Sequence, residues 1–168
     1  MTTFALGLST LFRRNRFFDP ESMGRWARDT PREVGMVSGS LMLISRSTWD
    51  ELDGFDPSYF MFGEDTDLCD RARAAGYRPM ITPDASIIHT VGGSSPTAGP
   101  RRVMVMRGKV TFFRRRWSSV GAWYAVRCLS MGAFVRSLAE RVWIRRGGDE
   151  RAWIEAWRRR TEWREGWG

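Results

Sequence analysis

Five acidic residues lie within residues 54–71, the stretch GFDPSYFMFGEDTDLCDR, although the chain as a whole carries a net charge of +8. They are interspersed with aromatic and large apolar residues, and they are Asp56, Glu64, Asp65, Asp67 and Asp70. Asp65 and Asp67 have the spacing of an Asp-x-Asp triplet, and carboxylate oxygens are the ligands that divalent cations such as Mg²⁺ prefer. The first question is whether this triplet holds a metal ion.

The surrounding pattern predicts a helix over residues 64–75, with acids in the first turn, arginines later and Gly76 as its stop. On a helix, residues two positions apart lie about 200° apart around the axis, so Asp65 and Asp67 cannot bind one ion together. Asp67 and Asp70 are expected on the other side of the helix, with solvent and arginine. Asp65 is expected to face a core or a cleft, because it shares a face with Leu68, Cys69 and Ala72.

The flanking segments predict the elements that would position this helix. Residues 36–46, MVSGSLMLISR, form a nearly continuous apolar run that predicts a strand buried on both faces. Thr48 and Glu51 fit a capping box and Gly54 a stop, which predicts a short helix over residues 49–53. Residues 77–93 predict two extended pieces separated by Pro83, and His89 ends the second.

Residues 94–100, SSPTAGP, predict a linker, and we place a domain boundary between residues 95 and 96. The charge changes there: residues 1–100 carry 10 Arg and 13 acids, whereas residues 101–168 carry 17 Arg or Lys and 6 acids. The second region is predicted to form amphipathic helices rich in Arg and Trp. Three interpretations are open, namely contact with an anionic membrane surface, a helical cap over the sheet, or single-stranded nucleic acid binding. The last is disfavoured because no recognised nucleic-acid motif accompanies the charge.

The remaining signals concern the compartment. Cys69 and Cys128 lack CxxC spacing, so neither a zinc site nor a disulfide framework is indicated. The apolar run at residues 4–12 is predicted to be buried, because it lacks the flanks of a secretion signal. A spanning helix needs about 18 uncharged residues, and Arg127 and Arg136 interrupt the best candidate. We therefore predict a cytoplasmic protein without a transmembrane helix.

Residues 37–95 resemble the C-terminal, acceptor-side half of family 2 glycosyltransferases, especially bacterial rhamnosyltransferase-like members. The order of motifs carries the resemblance: an apolar strand ending in Arg, a short helix, DGFD, the FGEDTDLC helix, an AGY turn, a PDA strand and a terminal His. It implies an α/β fold in which residues 1–95 are the acceptor-side half of a GT-A-type nucleotide-diphospho-sugar transferase. It also implies inverting transfer of a hexose or deoxyhexose from a nucleotide sugar to a glycan or lipid-linked acceptor, in cell-envelope polysaccharide synthesis.

The resemblance also implies roles for individual residues. Asp65 would be the catalytic base that takes the proton from an acceptor hydroxyl. His89 would contact a divalent cation, Mn²⁺ or Mg²⁺, at the sugar diphosphate. The residues implied in acceptor binding are Glu64, Ser38, Gly39 and Trp49, of which Trp49 would pack beneath the cleft.

Each of these residues also has a structural interpretation. Asp65, Glu64 and Asp67 could be ordinary acids at a helix start, where the dipole stabilises them by about 0.3 to 1 kcal/mol. His89 could be a structural strand residue, and Trp49 could belong to the core.

The nucleotide-binding strands and the metal-binding Asp-x-Asp of the family do not precede Met36. We therefore expect a longer gene product or a separate chain to supply them. The competing hypothesis is a non-catalytic remnant, or a membrane-associated interaction module, that retains the fold. For the Arg/Trp-rich region, the resemblance favours a helical cap that also contacts a membrane surface, because acceptors in this family are often lipid-linked.

Overall fold

The computed structural model describes residues 26–88, 98–145 and 151–168, and this part of the chain is mostly helical. The elements follow the order β1 (Arg32–Glu33), α1 (Arg46–Glu51), α2 (Glu64–Ala74), β2 (Met80–Ile81), α3 (Ala98–Arg116), α4 (Ser119–Arg145), α5 (Ala152–Arg158) and α6 (Arg160–Glu165). Strands β1 and β2 pair antiparallel, with Arg32 opposite Ile81 and Glu33 opposite Met80. The described residues therefore contain much less sheet than the predicted α/β fold.

Helices α3 to α6 form one packed unit. Helix α3 packs against α4, α5 and α6, and α4 packs against α5. Trp163 is fully buried, and its indole Nε1 donates to the carbonyl oxygen of Ala156 at 2.7 Å. The buried apolar core consists of Val103, Met106, Val110, Phe113, Ala122, Ala125, Leu129, Ala133 and Trp163. The predicted helices of this region are confirmed. In the described part of the chain they pack mainly against one another and do not form a cap over a sheet.

The start of α3 corrects the predicted linker. Ala98, Gly99 and Pro100 belong to the first turn of the helix, where proline is tolerated because its missing N–H has no helical partner. The rest of that linker lies outside the described residues, as do residues 4–12. No helix in the described part of the chain is both long and apolar enough to cross a membrane.

The predicted strand over residues 36–46 is wrong. This segment is irregular up to Ser45 and turns at the hydrogen bond from the amide of Leu41 to the carbonyl of Ser38. Among the described residues no strand lies beside it, so its apolar side chains are not enclosed on two faces. Leu43 is 99% exposed, whereas Met42 and Ile44 pack against a small core formed by Leu52, Leu68 and Ala72.

Helix α1 begins earlier than predicted because a different residue caps it. Ser45 is the N-cap and its Oγ accepts the amide of Thr48 at 3.1 Å, so Thr48 is inside the helix rather than at its start. Gly54 has φ of +59° and lies under the Trp49 ring, where a Cβ would be 2.7 Å from a ring carbon. The chain therefore turns after α1 at a position where only glycine fits.

The second predicted extended piece is not seen as a strand where it is described. Ile87 and Ile88 have no ladder partner, and Ile88 is fully exposed. His89 lies outside the described residues.

Candidate active site at the start of helix α2

Helix α2 is the predicted acidic helix, shorter by one residue at its C-terminal end. Phe62 and Gly63 immediately precede it with φ of 66° and 104°, a region that L-residues rarely adopt. A Cβ on Gly108 of α3 would lie 1.8 Å from the carbonyl oxygen of Phe62. The main chain before α2 therefore contacts the main chain of α3 directly, and only glycine at position 108 permits this close approach.

The irregular segment before α1 runs along α2 and is tied to it by hydrogen bonds. The amide of Val37 donates to Sγ of Cys69 at 3.3 Å, and the amide of Gly39 donates to Oδ2 of Asp65 at 3.0 Å. The hydroxyls of Ser38 and Ser40 lie 3.1 Å apart in the same turn. The small residues that the sequence analysis singled out therefore lie beside Asp65, on a loop rather than at a strand end.

The Asp65 carboxylate is half-buried and held at both oxygens. Its Oδ1 accepts the amide of Thr66 at 2.7 Å and the Thr66 hydroxyl at 3.3 Å, while Oδ2 accepts the amide of Gly39. A carboxylate offers about four lone-pair sites, so further hydrogen bonds can be accepted. The arrangement orients the carboxylate and leaves it able to accept a proton or a hydroxyl.

Glu64, the neighbour of Asp65 in the chain, has a partly buried carboxyl group. Its Oε2 is buried and has no hydrogen-bond partner within the described structure. Burial, with a contribution from the neighbouring Asp65 charge, raises the pKa of Glu64. The interpretation of Glu64 as a fully solvated helix-start acid is therefore wrong. A buried oxygen without a partner can accept a hydrogen bond from water or from a ligand hydroxyl.

Asp67 is not solvated either, in contrast to the prediction. It is 2% exposed, and Oδ2 accepts Nε of Arg71 at 2.7 Å while Oδ1 lies 3.7 Å from Nε of Arg116 on α3. Arg71 also donates to the carbonyls of Leu52 and Gly54. Burial is tolerated because two guanidinium groups compensate the charge. The i, i+4 spacing of Asp67 and Arg71 was the signal that could have predicted this pair.

A second pair links the loop before α2 to α3. Arg115 lies 2.8 Å from Oδ2 of Asp56, and Ser58 donates its amide to Oδ1 at 2.8 Å. Burial opposes ionisation, but the bonds from Ser58 and Arg115 outweigh it and lower the pKa of Asp56 to about 2. Asp70 pairs with Arg116 at 2.8 Å. These pairs fasten α2 to the helical unit.

The structure brings together Ser38, Gly39, Glu64 and Asp65. Trp49 packs edge-on against Phe55, with ring centroids 5.1 Å apart, and lies against the small core of Leu52, Leu68 and Ala72. It is therefore a core residue, the structural alternative given for it from the sequence. His89 falls outside the described residues.

The described residues do not fit a divalent metal. They contain no group of three or more His, Cys, Asp or Glu side chains that could hold one. Asp65 and Asp67 face different partners, Gly39 and Arg71 respectively, as expected from their positions on a helix. The two carboxylates of this triplet therefore make separate contacts and do not bind one metal ion together.

Residues 6–104 match the family described as "Glycosyltransferase like family 2", and the chain belongs to this family. It is similar to the N-acetylglucosaminyl-diphospho-decaprenol L-rhamnosyltransferase of Mycobacterium tuberculosis strain H37Rv, with 45% identity over 58 residues, or 34% of this chain and 19% of the relative. It is also similar to the rhamnosyltransferase WbbL of Escherichia coli K12, with 43% identity over 56 residues, or 33% of this chain and 21% of the relative.

The matched segments thus span about a fifth of the length of these relatives. No solved structure matches the chain significantly. The resemblance to rhamnosyltransferase-like members of the family is confirmed.

Proposed function

We propose that this chain carries the acceptor-side catalytic part of a GT-A-type glycosyltransferase. It would transfer a hexose or deoxyhexose from a nucleotide sugar to a glycan or lipid-linked acceptor, with inversion. The observation that carries the proposal is the Asp65 carboxylate, held between the Gly39 amide and the start of α2, inside the segment that matches the family. The printed names of the relatives, which include an L-rhamnosyltransferase acting on a diphospho-decaprenol, support a deoxyhexose and a lipid-linked acceptor.

In the proposed reaction Asp65 acts as the base. It accepts the proton of an acceptor hydroxyl while that oxygen bonds to the anomeric carbon and the bond from that carbon to the diphosphate oxygen breaks. The hydrogen bonds from Gly39 and Thr66 fix the direction of the carboxylate, which contributes to catalysis through orientation. A positioned base typically contributes about 10² to 10⁴ in rate. The unpaired oxygen of Glu64 and the hydroxyl of Ser38 would bind neighbouring acceptor hydroxyls.

A divalent cation, Mn²⁺ or Mg²⁺, is our expectation for the complete enzyme, with His89 as a contact. Because the described residues do not fit a metal, no step above depends on one.

We also propose that the helical unit contacts an anionic membrane surface through α4. One side of this 27-residue helix carries exposed apolar side chains at helical spacing, and the other side packs on α3 and α5. The exposed residues are Val120, Trp123, Tyr124, Met131, Phe134, Val135, Leu138 and Val142. From Val120 to Val142 this apolar face is about 33 Å long. Exposed arginines 127 and 141 lie along it, which suits anionic headgroups.

The transfer proposal is tested by assaying the chain alone and joined to the nucleotide-binding half of a rhamnosyltransferase relative. Nucleotide-linked sugars, including an L-rhamnose donor, are offered with a lipid-diphospho-N-acetylglucosamine acceptor and Mn²⁺ or Mg²⁺. We expect a glycosylated acceptor of inverted anomeric configuration, detected by mass spectrometry and NMR. If neither protein transfers any sugar, the non-catalytic module becomes the better account.

A further inference from the structure

A basic cleft of about 490 Å³ opens between helices α3, α4 and α6. Two of its lining residues, Trp123 and Arg127, also belong to the face of α4 proposed to contact a membrane. Its lining combines three guanidinium groups, two hydroxyls and an indole, from Arg114, Arg127, Arg164, Ser119, Ser130 and Trp123. The volume lies in the range of small-molecule sites, about 300 to 1,000 Å³.

The three arginines have no carboxylate partner among the described residues. Arg114 donates to the main-chain carbonyls of Arg164 and Glu165, both at 2.7 Å, and Nε of Arg164 donates to Oγ of Ser130 at 2.9 Å. The guanidinium of Arg127 lies over the Trp123 ring, 5.3 Å from its centroid. By contrast, Arg115 and Arg116 of the same region are each paired with aspartate. The positive charge of the cleft is therefore uncompensated.

The geometry places these charges close enough to act on one ligand. Arg127 and Arg164 line the same cleft from different helices, and Arg114 completes it from a third. Burial and the nearby charges of Arg160 and Arg127 lower the pKa of Arg164. Like charges held together in a partly enclosed space are stabilised by an anion, and guanidinium forks match phosphate oxygens in geometry.

We propose that this cleft binds a phosphate or diphosphate group, with Arg127 and Arg164 as its main ligands and the Ser119 hydroxyl as an additional donor. Trp123 and Arg127 also belong to the exposed side of α4, so the cleft opens beside the apolar face. The phosphate can therefore come from a lipid headgroup or from a soluble compound. Identifying it with the diphosphate of a lipid-linked acceptor rests on the proposed function; the binding of phosphate does not.

The test uses the full chain and inorganic pyrophosphate, with binding measured by calorimetry and by tryptophan fluorescence. Arg127→Gln is the test variant, because Arg127 is exposed and its only described contact is the Trp123 ring, so folding is preserved. Arg141→Gln, also exposed and also on α4, is the matched control. We expect Arg127→Gln to weaken binding about tenfold or more, the size of a lost charged hydrogen bond, and Arg141→Gln to change it less than twofold.

A second arm separates the two sources of phosphate. Phosphatidylcholine vesicles containing phosphatidic acid are compared with vesicles of equal surface charge supplied by a fatty acid. Binding of pyrophosphate that depends on Arg127 supports a soluble ligand. A preference for phosphatidic acid that depends on Arg127, without pyrophosphate binding, supports a lipid headgroup.

Two results would overturn the proposal. One is equal effects of Arg127→Gln and Arg141→Gln on pyrophosphate binding and on the preference for phosphatidic acid over equally charged vesicles. The other is no pyrophosphate binding together with no such preference. Phosphate binding by a chain that transfers no sugar, either alone or joined to a nucleotide-binding half, would refute the proposed function while leaving the cleft assignment standing.

Discussion

Replacing Gly108 by alanine tests how the start of α2 is held. The added Cβ would lie 1.8 Å from the carbonyl oxygen of Phe62 and 2.7 Å from its carbonyl carbon. Since contacts under 3.0 Å are not tolerated, the backbone must shift from 1.8 Å to at least 3.0 Å, a displacement of about 1.2 Å. The atoms that must give way are main chain, so the strain cannot be relieved by rotating a side chain.

The expected cost follows from this displacement. Overpacking typically costs about 1 to 3 kcal/mol, and the better helix propensity of alanine offsets up to about 1 kcal/mol. A net loss of about 2 kcal/mol lowers the Tm of a chain of this size by about 4 to 8 °C. The shifted carbonyl lies three residues before Asp65, and a misplacement of about 1 Å at a catalytic group can cost about 10² in rate.

Thermal unfolding followed by circular dichroism measures this effect, with Gly121→Ala as the control. Gly121 lies in the first turn of α4, and its added Cβ would first meet a side-chain atom, Oγ of Ser118, at 3.2 Å, which is not the severe main-chain overlap found at Gly108. We expect this control to be neutral or stabilising by up to about 1 kcal/mol. A Gly108→Ala protein as stable as the Gly121→Ala protein would show that the loop before α2 does not rest on α3.

Three further predictions concern the acidic residues. Asp67→Asn should lower the free energy of unfolding by about 1.5 to 3 kcal/mol in denaturant titrations, because it removes a charged hydrogen bond between the buried Asp67 carboxylate and the partly buried Arg71. Asp50→Asn, in an exposed pair, should cost less than about 1 kcal/mol. Equal costs would contradict the burial of Asp67. Glu64→Gln should raise the Tm at pH 7. Because the folded-state pKa of Glu64 is raised, ionisation of this residue destabilises the fold as the pH rises above the ordinary pKa of 4.5, and the advantage of the variant should vanish at pH values below it. A Tm difference independent of pH would refute this. The lowered pKa of Asp56 contributes stability above pH 3.8 that is lost as the pH falls toward about 2, so Asp56→Asn should show a weaker acid dependence of unfolding in that window than the unmodified protein.

Local chemistry explains which elements could be predicted from the sequence. Helix α2 was predicted almost to the residue because its dipole pattern and its glycine stop are encoded within the helix itself. The start of α1 was misplaced because Ser45 and Thr48 are both suitable caps, and only the structure shows that Ser45 makes the bond. The apolar run at residues 36–46 was assigned to a strand, yet strand formation depends on a neighbour that residue patterns do not reveal.

Tertiary contacts account for what could not be predicted at the site. The burial of Asp67 depends on Arg116, which lies on a different helix, and the close approach at Gly108 depends on how α2 crosses α3. The proximity of Asp65 to the small residues of the 36–40 loop was expected from the family resemblance. The sequence did not predict the hydrogen bond from the Gly39 amide to Asp65 that holds the loop there.

The central claim, that Asp65 is the catalytic base, is tested most directly by the kcat of Asp65→Asn in the protein joined to a nucleotide-binding half. Asp70→Asn, on the same helix but partly exposed and paired with Arg116, is the control. We predict that Asp65→Asn lowers kcat by about 10² to 10⁴ with an unchanged circular dichroism spectrum, and that Asp70→Asn stays within a few-fold of the unmodified enzyme. A folded Asp65→Asn protein that turns over within a few-fold of the unmodified enzyme would contradict the assignment.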